Sequence, residues 1–92
     1  MKAALCKTFD GPDALVIEEI AAPKAGPGEV VVRVGACALN FFDTLITRNK
    51  YQYKPELPFS PSAEMAGTII EVGPEVEGFA VGDRVAAYLG WG

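Results

Sequence analysis

The chain has 92 residues, which allows one small domain with a single modest core. Half of its residues are hydrophobic and 22% are charged, which is typical of a folded soluble domain and too apolar for a disordered one. The net charge is −4 and no Lys or Arg cluster occurs, so nucleic acid and anionic membrane surfaces are excluded as partners. The absence of histidine removes the commonest general base and most zinc sites from these residues.

Cysteine usage and the amino terminus indicate the compartment. Cys6 and Cys37 are too few for a disulfide scaffold and lack the CxxC spacing. The first apolar run is too short for a secretion signal, and no stretch reaches the ~20 apolar residues of a membrane span. We therefore expect a cytoplasmic protein that does not enter a membrane.

The first part of the chain predicts three strands separated by turns. The apolar segment 2–9 ends at the turn signal Asp10-Gly11-Pro12-Asp13, and residues 14–21 predict a second strand. A loop with two prolines and two glycines follows at 23–28, and residues 29–39 are the clearest strand of the chain. Strict alternation in that strand predicts one face made of Val30, Val32, Val34, Ala36 and Ala38.

The hydrophobic period then changes to that of a helix, over residues 40–48. Asn40 suits the N-cap, and Asp43 stands at the third helical position, where its carboxylate completes a capping box. The apolar stripe of this helix consists of Phe41, Phe42, Leu45 and Ile46.

The remaining sequence predicts a loop and two further strands. Residues 51–62 carry three prolines and three aromatics, which indicates an irregular, anchored loop. Strands are predicted at 63–72 and 84–89, with turns and a brief extended piece between them. The sum is a mainly β fold, a small barrel or sandwich with one short helix, incomplete at its carboxyl-terminal end.

Phosphate, metal and carboxylate chemistry are weakly represented. Neither GxGxxG nor GxxxxGK[ST] occurs, so a nucleotide pyrophosphate would have to be held by another domain. Cys6 and Cys37 fall on separate strands and are interpreted as small buried hydrophobes, not metal ligands. Asp43 and Glu64 would converge if the helix packs across the start of the fourth strand, but helix capping and a structural hydrogen bond explain them equally well.

One constellation at the predicted strand–helix junction suits a ring-shaped ligand. Asn40, Phe41, Phe42 and Asp43, together with Tyr51, supply an amide, a carboxylate, a phenol and flat apolar surface. Aromatic rings stack on flat ligands, although Phe41 and Phe42 are also explained as ordinary core residues.

Three segments carry a family resemblance and follow one another in the same order as in that family. Residues 1–46, the run FSPSAEMAGTIIEVG at 59–73 and the run VEGFAVGDRVAAY at 76–88 resemble the medium-chain dehydrogenase/reductase superfamily. The chain is most similar to the zinc-independent NADPH:quinone oxidoreductases of the zeta-crystallin-like branch. The resemblance implies that residues 1–92 form the substrate-side GroES-like domain, an irregular β-barrel. It also implies an NADPH-binding Rossmann domain beyond residue 92, so that the 92 residues alone are inactive.

The resemblance also decides the branch. Zinc-dependent alcohol dehydrogenases carry a cysteine where this chain has Asn40, and Gly-His-Glu where it has Ser62-Ala63-Glu64. Glu64 is kept, but the thiolate and the imidazole are replaced. The resemblance therefore implies catalysis without zinc.

By resemblance, the activity is hydride transfer from NADPH to a quinone or another conjugated carbonyl, in a homodimeric protein. Asn40, Phe41 and Tyr51 would line the cleft near the nicotinamide and the substrate, and Asp43 would orient them. Leu45 stands where several quinone reductases have a tyrosine, which leaves Tyr51 as the better proton donor. An enoyl or alkenal reductase of the same superfamily and a non-catalytic GroES-like binding module are the alternatives.

Overall fold

A computed structural model describes residues 1–91 of the chain. Over that range the chain forms five strands, one α-helix and one short 3₁₀ helix, which confirms the predicted mainly β fold class. No helix within 1–91 has the length and apolar character needed to cross a membrane. In chain order the elements are β1 (Lys2–Leu5), the 3₁₀ helix (Pro12–Ala14), β2 (Val16–Glu19), β3 (Val30–Ala38), α1 (Phe41–Ile46), β4 (Glu64–Val72) and β5 (Arg84–Tyr88).

The strands form two open antiparallel sheets. β1 pairs with β2, and the larger sheet has the order β3-β4-β5. Ala38, Glu64 and Tyr88 lie side by side in the last row of the larger sheet. At this row β3 ends, β4 begins and β5 ends. The segments that follow β3 and β5 therefore meet the segment that precedes β4, and we call this the junction end of the sheet.

The predicted strand at 14–21 is wrong at both ends, because the observed strand is Val16–Glu19. Proline fixes its backbone φ near the helical value, so Pro12 starts a 3₁₀ turn that includes Ala14. The turn is closed by a hydrogen bond from the Leu15 N–H to the Pro12 carbonyl oxygen, 3.2 Å long.

Three other strands keep their predicted place to within one residue at either end. The first strand is shorter than predicted, since it ends at Leu5 and Cys6 forms an isolated bridge with Phe59. Between residues 73 and 83, where a brief extended piece was predicted, the chain has turns at 74–75 and 81–82 joined by irregular structure, and no strand.

The strict alternation predicted for β3 is also wrong. The register with β4 shifts between Val31 and Val32 and again between Val34 and Ala36, so the side chains do not alternate along the whole strand. The first shift leaves Ile70 of β4 without a partner, and the second leaves Gly35 of β3 without one. Only the second interrupts β3, so the alternation of its side chains breaks at Gly35. Backbone contact is unusually close here: a side chain on Gly67 would collide with the Arg33 carbonyl oxygen of the facing strand.

The core lies beside the helix and anchors it. Its buried centre consists of Cys6, Ile46 and Phe59. Phe42 and Tyr51 pack against this centre together with two further partly buried side chains, Phe9 and Leu15. Because Ile46 and Phe42 hold the helix to the core, the position of its first residue is fixed as well.

Candidate functional site

The buried carboxylate of Asp43 joins the start of α1 to the start of β4. Its Oδ2 atom accepts the backbone N–H of the N-cap residue Asn40 at 2.8 Å, which is the capping-box bond predicted from the sequence. Its Oδ1 atom accepts the backbone N–H of Ser62 at 2.7 Å. Asp43 is only 7% exposed. Both oxygens bind main-chain donors, so Asp43 fixes the geometry of the junction end.

Ser62 completes this link on the other side. Its hydroxyl donates a hydrogen bond of 2.7 Å to the Ala38 carbonyl oxygen at the end of β3. Its backbone φ is +87°, a region that residues with a side chain rarely adopt. In the sequence, Ser62 is named only as the residue that stands where zinc-dependent alcohol dehydrogenases have glycine; neither its left-handed backbone nor its distant acceptor was predicted.

The Asn40 side chain points across the same junction. Its amide Nδ2 donates to the Glu64 carboxylate oxygen Oε1 at 3.2 Å. Asp43 and Glu64 therefore both border Asn40, one through the backbone and the other through the side chain. The sequence left open whether these carboxylates form an acid–base pair or have structural roles. In the structure Asp43 caps the helix and Glu64 forms a structural hydrogen bond.

The two adjacent phenylalanines of α1 point in different directions. Phe42 packs toward the core, so the core interpretation holds for that residue. Phe41 is 77% exposed, and its ring lies on the solvent side of the helix start. The structure therefore offers one flat apolar ring next to the amide of Asn40.

Tyr51 belongs to a series of four neighbouring rings that runs from the core outward. Its ring centroid lies 5.2 Å from that of Phe42 and 5.6 Å from that of Tyr53. The Tyr53 centroid lies 5.9 Å from that of Trp91. We call Phe42, Tyr51, Tyr53 and Trp91 the aromatic series. Its two outer members were missed by the sequence analysis, because residues so far apart in the chain show no common pattern.

The two cysteines have different environments. Cys6 is buried as predicted, and its burial raises the pKa of the thiol. The prediction that Cys37 is buried is wrong, because this residue is exposed on β3. It lies opposite Met65 of β4. Within residues 1–91, no three His, Cys, Asp or Glu side chains are grouped closely enough to hold a metal ion.

The site fits the ring end of a dinucleotide or acceptor better than its phosphate end. The helix has six residues, and its first turn is capped by its own Asp43 carboxylate. A pyrophosphate would need free backbone N–H groups at such a turn. Phe41 offers a flat face for a conjugated ring, and Asn40 offers amide hydrogens for a carbonyl oxygen.

Two open antiparallel sheets with a short capped helix at one end define a GroES-like class of β domain. The family model described as the alcohol dehydrogenase GroES-like domain matches residues 26–91. The chain therefore belongs to this family, and with it to the medium-chain dehydrogenase/reductase superfamily, as the motifs of the sequence predict.

Several relatives with closely similar sequence and fold are oxidoreductases by name. Quinone oxidoreductase-like protein 2 of Rattus norvegicus is 44% identical over 84 residues, which cover 91% of this chain and 23% of the relative. A probable oxidoreductase of Mycobacterium abscessus has a TM-score of 0.91 at 42% identity and covers 100% of this chain and 29% of that one. The quinone oxidoreductase of Thermus thermophilus, solved also in complex with NADPH, has a TM-score of 0.80 at 35% identity and covers 100% of this chain and 27% of that one. This chain thus spans about a quarter of the length of the relatives that it matches.

Proposed function

We propose that the protein containing this domain transfers hydride from NADPH to a quinone without zinc, and that the junction end forms the acceptor side of the cleft. The observation that carries the proposal is the exposed Phe41 ring at a helix start that is fixed from two sides. The names of the relatives support the quinone as acceptor, and the NADPH complex of the Thermus protein supports the cofactor. Cytoplasmic location and a homodimeric state stay predictions.

The rigidity of the helix start is the first step of the argument. Ile46 and Phe42 hold one side of α1 to the core, while Asp43 ties its first turn to Ser62. A single exposed apolar residue is ordinary on a protein surface. Because the helix start is fixed, the Phe41 ring is presented beside the Asn40 amide, and this combination suits a flat ligand with a polar edge.

The chemistry needs a hydride and a proton. NADPH, when bound, would supply the hydride that reduces the quinone, and one proton would complete the hydroquinone. Asn40 has two amide hydrogens, of which one binds Glu64 and the other is free to bind a carbonyl oxygen of the acceptor. Tyr51 is our candidate for donating the proton from its phenol oxygen.

The donor groups of the junction support the absence of zinc. Asn40 is a neutral amide that donates to Glu64, so the Glu64 carboxylate already has a protein partner. Zinc in catalytic sites prefers thiolate and imidazole ligands, and histidine does not occur among the 92 residues. The acceptor carbonyl would instead be polarised by the Asn40 amide.

The test uses the whole protein that contains this domain. We expect it to oxidise NADPH with 1,4-benzoquinone and to keep this activity in the presence of a zinc chelator. Phe41→Ala should raise KM for the quinone, whereas Phe79→Ala should not, because Phe79 is an exposed ring in the turn at the opposite end of the sheet. Loss of activity on chelation and recovery with zinc would contradict the zinc-free mechanism, and strong preference for a 2-enal over the quinone would identify an alkenal reductase instead.

A further inference from the structure

Two exposed arginines of the larger sheet lie on either side of one threonine. Thr68 of β4 is opposite Arg33 of β3 and also opposite Arg84 of β5. Residues that share a row of an antiparallel sheet point to the same face, and neighbours in the row are about 5 Å apart. The three side chains therefore stand together on one face, although the two arginines are far apart in the sequence.

Neither guanidinium group forms an ion pair within residues 1–91, because the ion pairs of that range involve other cations. Two carboxylates close by in the chain bind main-chain groups instead. Asp83, the residue before β5, accepts the Ala80 N–H at 3.0 Å, and Glu71 of β4 accepts the Ala25 N–H at 3.1 Å. A guanidinium group is always charged and offers five N–H donors. The two arginines therefore present two unpaired positive charges on a chain whose net charge is −4.

A shallow depression of about 530 Å³ lies beside this row of the sheet. Thr68 and Arg84 line one end of it, and Arg33 continues the same row beyond Thr68. Most of the other lining residues have small side chains, which leave open space above the strands: Gly35, Ala36, Ala66, Gly67 and Ala86. An anion that binds to the arginines would therefore have room for an uncharged apolar group beside it.

We propose that Arg33, Thr68 and Arg84 bind the phosphate group of a small phosphate monoester, whose organic part lies over the depression. The two guanidinium groups match the two charges of the monoester dianion, and the threonine hydroxyl donates to a third oxygen. Two positive charges are too few to hold a polyanion such as nucleic acid, so the ligand is a small molecule. The site lies where β5 begins, away from the junction end, and does not depend on the proposed function.

Three properties of a phosphate monoester favour it over a carboxylate as the ligand. Its second pKa is about 6, so it carries close to two negative charges at neutral pH. It has three terminal oxygens, one for each of the three side chains of the row. Arginine binds such oxygens in pairs through its planar fork of donors, which lysine lacks. A carboxylate has one charge and two oxygens and would leave one arginine unpaired.

Isothermal titration of the whole protein with phenyl phosphate tests the proposal, with and without saturating NADPH, because a cofactor site would itself bind phosphate groups. We expect Arg33→Gln and Arg84→Gln each to raise Kd about tenfold, the effect of one lost charge-assisted hydrogen bond. Arg84→Lys, which keeps the charge but not the fork, should raise Kd less than Arg84→Gln. The control Lys54→Gln removes an exposed charge in the loop after α1 and should change Kd less than about twofold. All the substituted side chains are exposed, so the melting temperature should stay the same.

Two further ligands define the site more closely. Inorganic phosphate should bind more weakly than phenyl phosphate, because it has no apolar group for the depression, and should depend on the same two arginines. Vesicles that contain phosphatidic acid should retain the protein no better than neutral vesicles, and strong retention would show a lipid-binding face instead of a small-molecule site. Unchanged binding in both arginine variants, an equal loss in Lys54→Gln, or loss of all phenyl phosphate binding at saturating NADPH would overturn the inference. The readout is binding, so the result is independent of quinone reduction.

Discussion

The Asp43 carboxylate and the Ser62 backbone amide form a 2.7 Å hydrogen bond that joins the first turn of α1 to the entrance of β4. The same carboxylate accepts the Asn40 N–H at 2.8 Å, so one buried side chain sets the position of the residue proposed to bind the acceptor. Asp43 therefore positions the site, whereas Asn40 and Phe41 are the residues proposed to contact the acceptor.

We expect Asp43→Asn to destabilise the protein. The amide keeps one oxygen acceptor but turns an N–H₂ group toward a backbone donor, so one buried main-chain N–H loses its partner. Loss of a hydrogen bond to a charged group costs about 1.5–3 kcal/mol in the free energy of unfolding. Urea unfolding measures the change. The control Asp10→Asn, at an exposed turn, should stay within about 0.5 kcal/mol of the parent protein, and an equal loss in both variants would contradict the assignment.

Two substitutions at Ser62 separate its backbone from its hydroxyl. Both Ser62→Ala and Ser62→Gly lose the 2.7 Å bond to the Ala38 carbonyl oxygen. Only glycine adopts the observed φ of +87° without steric cost. Ser62→Gly should therefore be more stable than Ser62→Ala by about 1 kcal/mol.

Ser60 provides the matched control for this pair, because its φ is negative. There the order should reverse, with Ser60→Gly less stable than Ser60→Ala by about 0.4–1 kcal/mol, since glycine gains entropy in the unfolded chain. The same order at both positions would show that the backbone of Ser62 has no special role. Thermal or urea unfolding of the four variants gives the answer.

The two thiols should react at very different rates. Cys37 is exposed and Cys6 is 1% exposed, so a maleimide at neutral pH should modify Cys37 alone in the folded protein. Peptide mass spectrometry should find the adduct on Cys37 and not on Cys6, and no adduct at position 37 in Cys37→Ser. In denaturant both thiols should react. Modification of Cys6 in the folded protein would mean that the core around it opens readily.

Burial of Cys6 also predicts how stability depends on alkaline pH. Its pKa is raised in the folded state, so its contribution to stability is complete below the unfolded thiol pKa of about 8.5 and is lost as the pH rises above it. The free energy of unfolding should therefore fall between neutral pH and about pH 9.5, and Cys6 should add to any fall that other titrating groups cause. The fall should be smaller in Cys6→Ala and unchanged in Cys37→Ser. Identical pH profiles for all three proteins would contradict this assignment.

Asn40 and Tyr51 should affect catalysis more than folding. We expect Asn40→Ala and Tyr51→Phe to lower kcat/KM of the whole protein by at least about fivefold, the cost of one lost hydrogen bond in the transition state. Far-UV circular dichroism and the melting temperature should change little in Tyr51→Phe, because the ring and its contact with Phe42 are kept. The control Phe79→Ala, in the turn at the opposite end of the sheet, should behave like the parent. Unchanged kinetics in both test variants would leave these residues with structural roles only.

The fold could be predicted largely from local pattern. Alternation in β3 and β4, the change of period at Asn40 and the turn residues around Gly11 each act within a few residues, so the sequence alone indicates them. The prediction failed where one residue imposes its own backbone preference, as Pro12 does in starting a 3₁₀ turn. It failed again at the bulge of β3 near Gly35, which depends on the facing strand.

The candidate site could be predicted only in part, and its ligand roles stay predictions. Asn40 and Asp43 are three residues apart and form a capping motif, which the sequence shows directly. Which of the two adjacent rings is exposed depends on where the core lies. In the structure Phe42 packs against the core and Phe41 is exposed. Cys37 is exposed because of how its strand packs in the fold, and the local sequence does not indicate this packing.

The sequence by itself determined the strands, the helix with its cap, the family motifs and the absence of histidine, because each is a property of residue types at short spacing. Only the tertiary structure decided that Ser62 holds Asp43 and that Tyr53 meets Trp91. These contacts join segments that are far apart in the chain. Their partners are selected by how the sheet brings its strand ends together, which residue order alone does not specify.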